Sequence, residues 1–545
     1  MSPATTATQK PITTSVATTP TTATQATADT EPAARPRDRR PGAGRWSGLS
    51  RDRAVLVVLV AALAVLSVWN ATGATPYQDD EGTYTAQAFS VLDDGALTPY
   101  TYWYDHPPLG WIQLGALAWL PRLLGAGDDT SVGAVRLVVA PFFVATAVLI
   151  YLIARRLRVR APLAVLATTF FALSPLTLTI GRQAYLDNVG LPWLLLAFYL
   201  VLSPRHPLWH HIAAGVCFAV AVLSKETLAI FGPALLLALL NRPGWSNRSF
   251  SVVGFLVVGG IALGSYPLMA LLRGELLTGP GHVSLQDALA YQFVDRSGSG
   301  SVWDPSSERA ELMRDWLFYD QYLIGLGLAA ALYCLLHRRT AWLPVALGTA
   351  AVPVVVGQGY LPAMYIIGVL PFLVLALAVG LDALWVALRG YVPSLPAGER
   401  RWAWGYAAGC AALVTLLFAG QWVDHGRTVL AGENNKEWTA ALEWAQDNLP
   451  AEDTVLVPYV LWQDLESAGR NDHWAVVPIE KVDLDPEFLH EHPEGADAID
   501  WIVTGPSTDD DYFEDLGLTM ARETLESAEP VQTFGDWTIH RVQRP

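Results

Sequence analysis

Five clusters of polar residues interrupt a largely apolar sequence, and each holds side chains able to move a proton or bind an anion. The first is Gln78-Asp79-Asp80-Glu81-Gly82. Three adjacent carboxylates can supply a general base, or the oxygen ligands of a divalent cation. The second is Tyr104-Asp105-His106-Pro107-Pro108, and the third runs from Gly181 to Asn188 with Arg182 and Asp187 in it. Ser224-Lys225-Glu226-Thr227 is the fourth, and the loop 273–315, with Arg296 among its polar residues, is the fifth. Arg182, Lys225, His106 and Arg296 suit the neutralisation of a phosphate, arginine through its bidentate fork and lysine as a point charge. A carboxylate base beside a cationic clamp fits group transfer from a lipid phosphate.

Each cluster also has a plainer reading. An acidic run can be a solvated helix cap, a His-Pro-Pro a rigid turn, and Arg182 with Asp187 or Lys225 with Glu226 an ordinary ion pair. Arg296, in a Gly/Ser-rich loop, can be a solvated surface charge. The order of the clusters and the side of a membrane on which they fall favour the functional reading.

Composition supplies that membrane. Apolar residues make up 52% of the 545 residues and charged residues only 16%, with a mean hydropathy of +0.30. A soluble protein carries about 25% charge, so the missing charge corresponds to surface facing lipid. The net charge of −16 argues against nucleic acid as a partner. Eleven stretches read as membrane spans: 54–70, 135–153, 161–180, 189–203, 210–223, 227–240, 251–272, 316–336, 341–357, 363–388 and 402–422. The fourth to sixth are short against the roughly 20 residues a helix needs to cross the hydrocarbon core. Pro107–Leu120, Pro-started and with Trp111 and Trp119, reads as a helix lying against the membrane surface.

Residues 1–53 are Thr/Ala/Pro-rich and then basic, which predicts a disordered cytoplasmic tail. With that end inside, 20 of the 35 basic residues fall on the cytoplasmic side, as positive-inside bias requires. All five polar clusters then share the opposite face. Residues 54–423 form the membrane domain. Residues 424–545, with 27 acidic and 7 basic residues, form an extracytoplasmic α/β domain. In that domain Trp438–Leu449 reads as a helix, and Thr454–Val460, Ala475–Pro478 and Ala498–Val503 as strands, with Thr533–Val542 closing the sheet.

The order of these features resembles the GT-C glycosyltransferases that use polyprenyl-phosphate sugars, the protein O-mannosyltransferase and aminoarabinose-transferase branch. The resemblance rests on a first span followed by Asp80-Glu81, a basic residue before Pro-Pro-Leu, and the later Arg182-x-x-x-x-Asp187 loop, and covers roughly 54–425. It implies a multi-pass α-helical fold of about eleven transmembrane helices with Asp80 as catalytic base and Glu81 beside it. Asp187 matches the family's second-loop acidic residue, and His106 stands where the family often has lysine. Tyr360-Leu361-Pro362 through Pro371 is similar to the family's Tyr/Pro-rich late helix start. Asp79 is an additional carboxylate, which leaves a divalent cation at Asp79, Asp80 and Glu81 open.

The combined expectation is an inverting hexosyl- or pentosyltransferase of the plasma membrane. It would move a sugar from a polyprenyl phosphate to a protein, lipid or glycan acceptor on the extracytoplasmic face. A lipid or solute transporter is the alternative. It predicts charges near mid-span and internal repeats, whereas here the charges gather on one face. A structural or sensor protein built around the C-terminal domain would leave the membrane clusters without a role.

Overall fold

The computed structural model describes residues 44–98, 104–125, 130–205, 207–241, 248–279, 282–357, 359–469 and 473–543. Most of the predicted tail, through residue 43, lies outside them. Residues 52–545 form one unit.

A helix lies over each of the eleven apolar stretches. The first, α1, covers Gly44–Val68, and is followed by the polar helix α2 (Asp79–Asp93) and the short helix α3 (Leu109–Gly115). The apolar series continues with α4 (Ser131–Arg156), α5 (Ala161–Leu173), α6 (Leu186–Val201), α7 (Leu208–Ser224), α8 (Gly232–Leu240) and α9 (Arg248–Leu263). It ends with α10 (Glu308–Cys334), α11 (Trp342–Val356), α12 (Ile366–Tyr391) and α13 (Ala397–Ala431). Among the described residues five helical stretches are long and apolar enough to cross a membrane, and five more are apolar but only 10–17 residues long. The predicted fourth to sixth spans belong to the short set.

The apolar core is fastened by large rings. Phe198 of α6 stacks on Trp342 of α11 at 4.7 Å, and Phe231 stacks on Phe372 of α12 at the same separation. Two helices are broken where a polar group enters. The third stretch divides at Ser174-Pro175, because proline cannot donate to the helical ladder. Helix α10 kinks at Asp320, whose φ of −152° is not helical. The two breaks meet, since the buried Asp320 carboxylate accepts hydrogen bonds from Ser174 Oγ and from Trp422 Nε1 of α13.

Helix α3 covers part of Pro107–Leu120, the stretch expected against a membrane surface. It is wedged among α2, α6 and α7, with Trp111 at 1% exposure and Leu114 fully buried. Gly110 allows the approach, because a Cβ there would stand 2.8 Å from the carbonyl oxygen of Ser224. Ile112 and, at the far end, Trp119 remain exposed.

The long helix α13 runs past residue 423 to Ala431 and delivers the chain to a sheet domain. Asn434 and Asn435 tie this junction to the segment after α1. Asn435 Oδ1 accepts from the Tyr77 amide at 3.0 Å, Asn435 Nδ2 donates to Thr75 O at 2.9 Å, and Asn434 Nδ2 donates to Ala74 O at 2.8 Å. Beyond it come α14 (Lys436–Asn448), β1 (Val455–Val457), α15 (Tyr459–Glu466), β2 (Val476–Pro478), β3 (Trp501–Thr504), α16 (Asp510–Leu516), β4 (Ala528–Phe534) and β5 (Trp537–Val542). The strand order is β2-β1-β3-β5-β4, with β1 parallel to both β2 and β3 and the β4–β5 hairpin antiparallel. Two expectations are corrected. Thr454–Val460 is not strand throughout, because Pro458 ends the ladder and α15 begins at Tyr459. Thr533–Val542 is the turn and second arm of a hairpin, reversed at Gly535 with φ of +58°.

Candidate active site

The three carboxylates at 79–81 occupy the first turn of α2, where the helix dipole favours negative charge. Successive residues on a helix point about 100° apart, so the three fan out. Glu81 turns inward and is fully buried. Its oxygens accept from Arg136 Nε at 2.8 Å, Arg136 Nη2 at 2.5 Å, the Ala184 amide at 2.7 Å and Gln183 Nε2 at 3.3 Å. Arg136, from α4, completes its donors on the carbonyls of Ala71, Thr75 and Pro76. Asp79 turns to the sheet domain, where it accepts the backbone N–H groups of Tyr459 and Val460 at the start of α15. Asp80 alone is exposed. Divergence of this kind gives no shared cation site, and among the described residues no group of three or more His, Cys, Asp or Glu side chains could hold a metal ion. The metal set of Asp79, Asp80 and Glu81 is therefore corrected: Glu81 is occupied by Arg136 and Asp79 by α15.

Asp80 faces a cavity of about 210 Å³. From the membrane helices and their loops it takes Asp79, Tyr84, Asp105, His106, Trp111 and Arg296; from the sheet domain it takes Tyr459, Trp462, Glu480 and Lys481. Burial, reinforced by Glu480 and Asp80, raises the Asp79 carboxyl to about 7. Burial likewise raises Asp105 to about 7, against the opposing pull of His106, Lys481 and Arg296. Burial lowers the Lys481 ammonium to about 8, with Asp485 at 3.5 Å acting the other way. Arg296 stacks over the Tyr360 ring at 3.7 Å and donates to Gln292 at 3.2 Å.

His106 joins the cavity to a buried polar network. Lys225, only 3% exposed, approaches His106 Nε2 with its Nζ at 3.1 Å, and His106 Nδ1 lies 3.1 Å from Glu226. An ammonium can only donate, so Nε2 accepts and Nδ1–H donates to Glu226. The Tyr84 hydroxyl also stands 3.1 Å from Nε2. Asp187 is buried nearby, with one carboxylate oxygen unpartnered, and interacts electrostatically with Lys225 and His106. The loop is held from outside by Tyr266, whose hydroxyl donates to the carbonyls of Tyr104 and His106.

The comparisons with known proteins bear on this arrangement. Residues 105–267 match the family model described as dolichyl-phosphate-mannose-protein mannosyltransferase. ArnT from Cupriavidus metallidurans bound to undecaprenyl phosphate superposes with a TM-score of 0.54 at 16% identity, covering 92% of this chain and 98% of that one. The Archaeoglobus fulgidus oligosaccharyltransferase tethered with an acceptor peptide gives a TM-score of 0.51 at 15% identity, covering 90% and 74%. The chain carries the GT-C fold. The arabinofuranosyltransferase AftD from Mycobacteria is a further GT-C neighbour, at a TM-score of 0.51 and 15% identity, covering 90% of this chain and 42% of that one. No curated protein matches the sequence. The family model named for dolichyl-phosphate-mannose and the neighbour bound to undecaprenyl phosphate agree with the resemblance read from the sequence.

Within this GT-C fold the expected site residues divide. Asp80, His106 and Arg296 line one cavity, while Lys225 and Asp187 stand behind His106. Arg182 is not brought there. It is 4% exposed and its guanidinium donates to Leu178 O at 2.8 Å, Trp69 O at 2.7 Å and Leu66 O at 3.4 Å. It closes the carbonyl end of α1, so its expected place in a phosphate clamp is corrected. Sequence reasoning missed Arg136, although a single arginine inside the apolar run of α4 is a signal in itself. It also missed Glu480, Lys481 and Tyr459, for which no local signal exists.

Proposed function

We propose that the protein is an integral-membrane glycosyltransferase that moves a sugar, with inversion, from a polyprenyl phosphate to an acceptor at the extracytoplasmic face. The observation that carries this reading is the exposed Asp80 in a cavity it shares with Arg296 and His106, in a fold shared with a protein bound to undecaprenyl phosphate. Asp80 takes the proton of the acceptor hydroxyl as its oxygen attacks the anomeric carbon. The bond from that carbon to the phosphate oxygen breaks, and the polyprenyl phosphate leaves with the electron pair. Arg296 meets the developing phosphate charge, and the Lys225–His106 pair supplies further positive potential from behind. Glu81 acts by holding α2 rather than by touching substrate. Asp187 opposes Lys225 and keeps the buried charge balanced.

The decisive experiment compares Asp80→Asn with wild type in sugar transfer from a polyprenyl-phosphate sugar and in binding of undecaprenyl phosphate. The amide cannot accept the proton, so transfer is lost while lipid binding and melting temperature stay unchanged. Wild-type transfer by the variant would remove Asp80 as the base. The transporter reading predicts lipid movement without release of free polyprenyl phosphate, which the same assay reads.

A further inference from the structure

The loop that carries Arg296 continues as Ser297-Gly298-Ser299-Gly300-Ser301, a composition suited to a flexible linker. The fold ties it down instead. Ser299 is 4% exposed, and its N–H, carbonyl and hydroxyl are all engaged. The N–H donates to Gly359 O at 3.3 Å, the carbonyl accepts the Arg309 amide at 2.9 Å, and the hydroxyl accepts the Leu361 amide at 3.1 Å. Tyr360 stands between the two residues held in this way.

Arg309 completes the clasp. It lies in the first turn of α10 and is fully buried. Its guanidinium donates to Gly300 O at 2.8 Å, to Gly359 O at 2.5 Å and to Pro353 O. Pro353 belongs to the last turn of α11, where carbonyls lack an intrahelical partner and a positive group suits the helix dipole. One side chain therefore fastens the Arg296 loop, the Tyr360 segment and the end of α11 together. Glycine allows the close approach: Gly300 and Gly359 have φ of +72° and +70°, and a Cβ on Gly298 would stand 3.3 Å from Gly359 O.

The effect falls on Arg296. Its guanidinium lies 3.7 Å from the centre of the Tyr360 ring and lines the Asp80 cavity. Both sides of that contact belong to the clasp, because Arg296 precedes Ser299 by three positions and Tyr360 is flanked by Gly359 and Leu361. An arginine on a free Gly/Ser loop loses side-chain and loop freedom each time it binds an anion. Here that freedom is already lost on folding.

We infer that Arg309 and Ser299 are positioning residues, holding Arg296 against Tyr360 so that it meets the donor phosphate already ordered. The inference rests on the proposed function for the role of Arg296, but not for the order of the loop.

The test uses full-length protein in lipid nanodiscs with undecaprenyl phosphate as the probe. Arg309→Lys, Ser299→Ala and Arg296→Ala are compared with wild type, and the first two are also combined with Arg296→Ala. Lysine keeps the charge, but a point charge cannot span three carbonyls. Ser299→Ala deletes a single hydroxyl and carries the test alone where the lysine variant does not fold. Undecaprenyl phosphate affinity is expected to fall about 10-fold in Arg309→Lys and about 3-fold in Ser299→Ala. Without lipid, hydrogen exchange is faster across 296–301 and 359–361 in both variants and unchanged across 321–334. In the Arg296→Ala background neither substitution lowers affinity further, because the group through which they act is gone. A merely structural role predicts equal losses in both backgrounds, and that result would overturn the inference. So would wild-type affinity, or wild-type exchange, in the folded clasp variants. Wild-type affinity in Arg296→Ala would instead remove Arg296 from the phosphate in the proposed transfer, and the positioning role with it, while faster exchange in the clasp variants would still mark the loop as ordered by Arg309 and Ser299.

Discussion

Asp80 and Glu81 illustrate how differently adjacent acidic residues behave, since Asp80 is exposed while Glu81 pairs with Arg136. Both partners are fully buried, and removing one side of such a pair leaves an uncompensated buried charge, costing about 3–5 kcal/mol. Glu81→Gln is therefore expected to lower the melting temperature in detergent sharply, whereas Asp80→Asn leaves it unchanged. Arg182→Ala belongs with Glu81→Gln: three carbonyls lose their donor, so stability falls by roughly 1–3 kcal/mol while undecaprenyl phosphate affinity is kept. Calorimetric melting and lipid titration on the three variants check both statements. Asp80 and His106 were legible in sequence because each stands in a short polar motif, and Arg296 because it is a basic residue in a long polar loop between two apolar stretches. The partner of Glu81 was not, because the Glu81–Arg136 pair joins residues 55 positions apart and neither residue carries a local sign of the other.

At the level of elements, α2 and α15 depend on each other. Gly82→Ala forces a methyl group into the Tyr459 backbone, and overpacking of this kind costs about 1–3 kcal/mol. Faster hydrogen exchange across Tyr459–Glu466 is expected, with loss of transfer even though Asp80 is untouched. Unchanged exchange in that helix would show that the contact is not limiting. The same contact brings a pH dependence. Burial raises Asp79 from 3.8 to about 7, so between those values the folded chain binds a proton that the unfolded chain has released. Stability contributed at this position is present at low pH and falls as pH rises through about 7. Asp79→Asn should flatten the melting-temperature profile between pH 4 and 7; an identical slope in the variant would place the dependence elsewhere. Helices and β-strands were legible from periodicity, but Pro458 and Gly535 redirect the chain within stretches that read as strands. The burial of Trp111 was not legible in Pro107–Leu120, because α2, whose Tyr84 ring meets it, is remote from any pattern inside that stretch.

For the whole molecule, the orientation proposed from charge is open to a direct measurement. In a Cys410→Ser background, Asp510→Cys should react with a membrane-impermeant thiol reagent on intact cells and Arg400→Cys should not. Both positions are exposed, and Cys217 and Cys334 are buried. Labelling at position 400 alone would invert the topology. The layout of apolar stretches and a following sheet domain could be read from hydropathy and composition, since both are properties of continuous segments. That the sheet domain closes the Asp80 cavity could not, since it depends on where the carboxyl ends of β1 and β2 are aimed.

The separation along the chain between Asp80 and Tyr459 also orders events during synthesis. Asp80 emerges from the ribosome early, after one apolar helix, whereas Tyr459 and Glu480 follow all the others. Until the last segment has folded and docked on α2, the carboxylate lacks the cavity wall that Tyr459 and Glu480 supply. Chains arrested before β2 would insert their helices yet lack one wall of the cavity. A complete cavity thus becomes a late checkpoint of biogenesis, reached only by a chain synthesised and folded through residue 480.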